Sequence, residues 1–235
     1  MIIRCVWEHN GEDTILYSDN YIGAFTRGKT KEIALKKMQA EVKSYLDWKE
    51  ETVPESLIPE IVQQKESTLQ VCDADSDVLF DEEKKPLSID EYIQLKKLAL
   101  KSAKDFLSMY DEIPDKNKSV LPQSVTFYGE VPRTANEMYE HTKNVNSYYF
   151  GEIGVKVSND ETIYECRKKG FELLEQHQNF LENNVVTGSY GELWSLRKVL
   201  RRFIWHDRIH AKAMYKMALK TFGGESIDNV FKFIV

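Results

Sequence analysis

An α+β N-terminal domain followed by an all-α antiparallel four-helix bundle is the fold class this sequence predicts. Three observations carry it. Residues 1–72 alternate short extended stretches with one capped helix. Residues 88–222 hold four long amphipathic runs. Between them, the short stretch 73–87 is dominated by acids. The predicted divisions are an α/β domain over 1–72, an acidic linker over 73–87, the bundle over 88–222 and a strand-like tail over 223–235.

Ile3, Cys5 and Trp7 alternate with Arg4 and Val6, which suits a strand with its period of two. Residues 14–18 make a second short strand, and Asn10-Gly11 before them is a strong hairpin signal. In residues 21–30 (YIGAFTRGKT), Gly23 and Gly28 flank a short extended piece. Thr30 is a plausible N-cap for a helix of about 19 residues ending near Lys49. Ala34, Met38, Val42, Tyr45 and Leu46 form its apolar face. Pro54 and Pro59 then break the chain, and residues 68–72 read as another strand.

Residues 73–83 (DADSDVLFDEE) carry six acids and no base, and Pro86 closes the stretch. So few apolar groups cover little core, and a mobile, exposed linker is expected. Asp73, Asp75 and Asp77 have the spacing that opens a calcium loop. That loop needs a glycine where Val78 stands and a bidentate glutamate where Lys84 stands, so a solvated linker is the better reading.

The first helix of the bundle is expected from about Ser88, a good N-cap, to Tyr110, with Tyr92, Leu95, Ala99, Phe106 and Tyr110 inward. A long connection containing Pro114, Pro122 and Pro132 follows. The second helix spans about 134–150, with Met138, His141, Val145 and Tyr148 on one stripe. The third covers about 160–181, with Ile163, Cys166, Gly170, Leu174 and His177 on one stripe. The fourth covers about 189–221, with Leu196, Val199, Phe203, His206, His210 and Met214 inward. Four amphipathic helices, two of their links short, predict an antiparallel bundle. After Gly223-Gly224 the residues 229–235 are strand-like in composition and suited to pairing with the first domain's sheet.

The 235 residues are 42% hydrophobic and 11% aromatic, enough for a proper core. A net charge of -6 argues against a general nucleic-acid binder, whose phosphate contacts need a basic face. No stretch approaches the roughly 20 apolar residues that span a bilayer, and the first residues lack the apolar core of a signal peptide. Cys5, Cys72 and Cys166 are too few and too scattered for a disulfide framework and fit reduced thiols. The expectation is a cytoplasmic protein with a small-molecule substrate, no nucleic-acid or membrane partner, and room for a homodimer.

The most informative feature is His206 and His210, inside Trp205-His206-Asp207-Arg208-Ile209-His210. Residues four apart on a helix project from one face. Two neutral imidazoles stacked so, plus one from a facing helix, can hold a divalent metal and leave a position open. His141 is the third. With antiparallel helices reversing near residues 155 and 185–187, His141 lies level with Lys169, and Lys169 with a point between Arg201 and Trp205. His206 is then roughly 2–8 Å away along the axis at 1.5 Å per residue, whereas His177 is at least roughly 13 Å from it. The pair lacks the glutamate that gives zinc proteases their base. Cys166, though level with the pair, reads as a small buried thiol. Glu140, Asp207 and Arg208 are turned off the ligand face by helical phase.

His141 in YEHTKNVNSYY, followed by His206 and His210 in WHDRIHAKAMY, is similar to the pattern of the DinB-like superfamily of four-helix bundles. The resemblance covers about residues 88–222. It implies that His141, His206 and His210 bind a divalent metal, zinc or nickel foremost, and that the chemistry is thiol transfer or a related reaction. Residues 1–72 resemble the HicB-like antitoxin fold through YIGAFTRGKTKEIALKKMQAEVKSYLDW, where Gly23, Gly28 and Thr30 match a glycine turn before a capped helix. Such antitoxins usually add a DNA-binding module, whereas this chain adds the helices, so residues 1–72 read as a binding or assembly module. The leading expectation is a metal-dependent transferase or hydrolase. The other class is a non-catalytic interaction protein whose histidines are packing residues or a structural metal site.

Overall fold

The structure, a computed structural model, describes residues 1–11, 13–126, 129–224 and 226–235. Two units make up the chain: Met1–Glu82 with Phe231–Val235, and Glu83–Val230.

In the first unit β1 (Ile2–Asn10) and β2 (Asp13–Ser18) pair antiparallel, Asn10 opposite Asp13. Gly11 makes the turn at a φ of 56°, a conformation glycine adopts without steric penalty. β3 (Phe25–Gly28) adds to β2, and α1 (Lys31–Trp48) packs on the sheet, its first turn capped by the Thr30 hydroxyl, which accepts from the Ile33 amide. β4 (Ile58–Glu66) lies parallel to β1 and completes a mixed sheet of order β3-β2-β1-β4. Pro59, read as a break, instead sits inside β4. An edge strand tolerates proline because half its amides need no ladder partner. The strand expected at 68–72 does not form: Val71–Asp73 is a 3-10 turn.

The acidic stretch is not a free linker. Val78 and Phe80 are buried, Phe80 lies 5.6 Å from the Tyr17 ring, and the Ser76 hydroxyl donates to Glu8 Oε2 at 2.5 Å. Gln63 clips the same segment to β4, donating to Leu79 O and accepting from the Asp81 amide. Three adjacent apolar side chains, Val78, Leu79 and Phe80, outweigh the acids around them. The tail also departs from expectation. Among its described residues, which exclude Glu225, none is in a strand. Instead Phe231 stacks on Trp48 at 5.1 Å and the Ser44 hydroxyl donates to Lys232 O, so the end of the tail packs on α1. Lys232 at a φ of 57° breaks the extended path a strand requires.

The second unit corrects the predicted fold class. It is not an all-α four-helix bundle, because its helices alternate with short strands. After α2 (Ile89–Glu112) comes the hairpin of β5 (Val125–Thr126) and β6 (Gly129–Glu130), then α3 (Ala135–Glu152) and α4 (Ile163–Leu174). A second hairpin, β7 (Val186–Thr187) with β8 (Leu193–Trp194), precedes α5 (Leu196–Phe222). α4 stops at Leu174, well short of residue 181, and Asn179 and Asn183 then take left-handed conformations. α5 starts at Leu196, not near 189, because Tyr190 and Gly191 are left-handed and Ser195 supplies the cap. Ser88 with Glu91, and Thr134 with Glu137, form capping boxes that fix where α2 and α3 begin. α4 and α5 each pack against both α2 and α3. Gly170 allows the α3–α4 approach, since a Cβ there would lie 2.1 Å from Phe150 Cε2. Glu83 belongs to this unit: its side chain pairs with Arg201 and its carbonyl accepts from Asn183 and Ser195.

No helix among the described residues is long and apolar enough to cross a membrane. Cys5 and Cys166 are buried, Cys72 is exposed, and all three are free thiols, with burial pushing Cys5 up to about 12.

Candidate metal centre

His206 and His210 stand one turn apart on α5, and their ring centroids are 4.4 Å apart. His141, in the middle of α3, completes the cluster at 5.1 Å from His206 and 4.6 Å from His210. One nitrogen from each ring falls within 4.8 Å of the others. Zinc–nitrogen bonds of about 2.0–2.1 Å in a tetrahedron set nitrogens about 3.3 Å apart. The rings therefore have the right arrangement and must draw together to grip an ion. No carboxylate or thiol joins the cluster among the described residues. A divalent ion held here would keep its double charge and at least one open position.

The protonation states suit ligation, which requires neutral imidazole. Burial lowers the His141 pKa. Burial, followed by the proximity of His210 and His141, holds His206 well below its ordinary value. Burial, then His141, pushes His210 down to about 3. His206 Nδ1 is buried with no hydrogen-bond partner, an unusual state for a buried polar atom. None of the three rings hydrogen-bonds to another described residue.

The other side chains near the histidines in sequence turn elsewhere. Asp207 points into the core, where it pairs with Arg167 and accepts from the Ser102 hydroxyl. Arg167 also donates to Asn146 Oδ1 and Ala99 O, tying α2, α3 and α4 to α5 behind the cluster. Cys166 and the exposed His177 stand outside the cluster.

Two residues of this region were missed in the sequence. Tyr149 is buried, whereas Tyr148, placed on the inward stripe, is half-exposed. The signal was the aromatic run Tyr148-Tyr149-Phe150, whose two later members both face in. Arg202, one turn before His206, lies 5.4 Å from the Tyr149 ring, 5.4 Å from Trp194 and 5.3 Å from Trp205, with Glu192 at 3.7 Å. Burial keeps the Tyr149 pKa raised, so it stays a protonated donor at neutral pH.

No protein family, curated protein or solved structure matches this chain.

Proposed function

We propose that this protein is a metal-dependent enzyme acting on a small molecule by thiol transfer or hydrolysis, with zinc or nickel held by His141, His206 and His210. The convergence of three imidazoles, His206 buried and His141 and His210 half-buried, all with lowered pKa values, carries this reading. A divalent ion bound there lowers the pKa of a water or thiol that joins it and so supplies a nucleophile near neutral pH. The chain's own part is to present three lone pairs, leave one position open and hold the surrounding rings in place. The histidine order that resembles DinB-like metal proteins supports the same reading. Residues 1–72 are read as a binding or assembly module, and the free thiols suit a reducing cytoplasm.

One observation favours a second reading, that of an interaction protein with packing histidines. Ligating histidines almost always donate their other N–H to a carboxylate, carbonyl or water, and these rings have no such protein partner. Metal analysis of the purified protein after incubation with zinc or nickel decides between them. The expected result is one ion per chain, lost in His206→Ala and His141→Ala. Absence of any stoichiometric metal would sink the enzyme reading.

A further inference from the structure

Tyr149 lies on α3 two turns beyond His141, and its ring stands edge-on to His206 with centroids 6.0 Å apart. Only 3% of the residue is exposed, yet its hydroxyl makes no hydrogen bond to any described residue. That hydroxyl is not among the fully buried atoms without partners, so it keeps some accessible surface beside a cluster of ligand-type side chains. The ring is held from several sides. Trp194, Phe203 and Tyr148 each lie 5.4 Å from it, centroid to centroid, and the Arg202 guanidinium covers it at 5.4 Å. Nearby, His206 Nδ1 is buried without a partner. An accessible hydroxyl free to donate, next to a ring whose buried nitrogen lacks a partner, marks a place where a ligand can bind.

We propose that the Tyr149 hydroxyl is the hydrogen-bond donor for a small electron-rich ligand, foremost an anion, that enters beside the three imidazoles. This rests on the metal reading above. The role is one of binding and orientation: a fixed donor aimed at a ligand needs no reorganisation when that ligand arrives. Arg202 over the same ring adds positive potential that favours an anion, although Glu192 at 3.7 Å offsets part of it.

Azide, titrated into cobalt-loaded full-length protein, is the probe, because the visible spectrum of cobalt reports ligand entry directly. Tyr149→Phe removes the hydroxyl and keeps the ring. The expected result is the same cobalt content as wild type and an azide dissociation constant raised about tenfold, the loss of one hydrogen bond to a charged acceptor. Tyr148→Phe, on the half-exposed neighbour, should leave azide affinity unchanged. Equal azide affinity in fully loaded wild type and Tyr149→Phe overturns the hydroxyl's role and leaves the metal reading intact. A Tyr149→Phe protein that cannot take up cobalt shows a packing role and also overturns it. Failure of the wild type to bind cobalt overturns both.

Discussion

Arg167 lays its guanidinium along both carboxylate oxygens of Asp207, and neither side chain is exposed to solvent. Asp207 directly follows His206, so the pair fixes the rotation of α5 about its axis. With Asp207 held toward α4, His206 and His210 are left facing α3, where His141 waits.

Asp207→Ala should therefore be severe. It strands the Arg167 cation in the core, and breaking a buried pair from one side costs about 3–5 kcal/mol. Urea denaturation monitored by circular dichroism measures the loss. Arg167→Met with Asp207→Leu should recover most of it, because an apolar pair leaves no charge unpaired. A loss below about 1 kcal/mol in Asp207→Ala, the range of exposed pairs, would show that the pair does not hold the core.

The metal-free protein should lose stability in mild acid. The three histidines have folded-state pKa values below the unfolded value, so the folded chain takes up protons later than the unfolded one. The stabilisation is fully present above about pH 6.5 and is lost as pH falls toward the lowered values. For His210, held down to about 3, the slope is about 1.4 kcal/mol per pH unit across that window. Denaturation at several pH values, compared with His210→Leu, isolates it. An identical acid slope in the variant would remove His210 from the account.

Gly170→Ala tests the approach of α3 and α4. The new methyl meets the Phe150 ring, and overpacking of this kind costs about 1–3 kcal/mol. Adding Phe150→Leu should restore part of the loss. Unchanged stability in the single variant would mean that the ring moves aside freely.

The elements legible in the sequence are those with a local signature. Asn10-Gly11 announced the first hairpin, Thr30 and Ser88 announced helix starts, and the i, i+4 spacing of His206 and His210 put them on one face. His141 was reachable because antiparallel helices of known rise turn sequence separation into distance. What stayed hidden depends on tertiary context. Pro59 is compatible with β4 only because that strand is at an edge. Residues 73–83 looked solvated because charge outnumbers Val78, Leu79 and Phe80, and their burial requires a sheet to lie on. Two-residue strands such as β7 and β8 are too short for any periodicity, and the left-handed Asn179 and Asn183 that follow α4 look in sequence like ordinary polar residues of a helix. Tyr149 was passed over for Tyr148 because a single stripe cannot describe a helix with two packed neighbours.

The stacking of Phe231 on Trp48 has a consequence for synthesis on the ribosome. The chain emerges N-terminus first, so β1 to β4 and α1 are available long before Phe231 is translated. Until then the indole of Trp48 lacks its cover, and the nascent first unit exposes that apolar face. Translation arrested before residue 231 should thus yield a species in which the sheet has formed but Trp48 fluorescence remains that of a wet indole, and release of the full chain should quench or blue-shift it in a late, separate step.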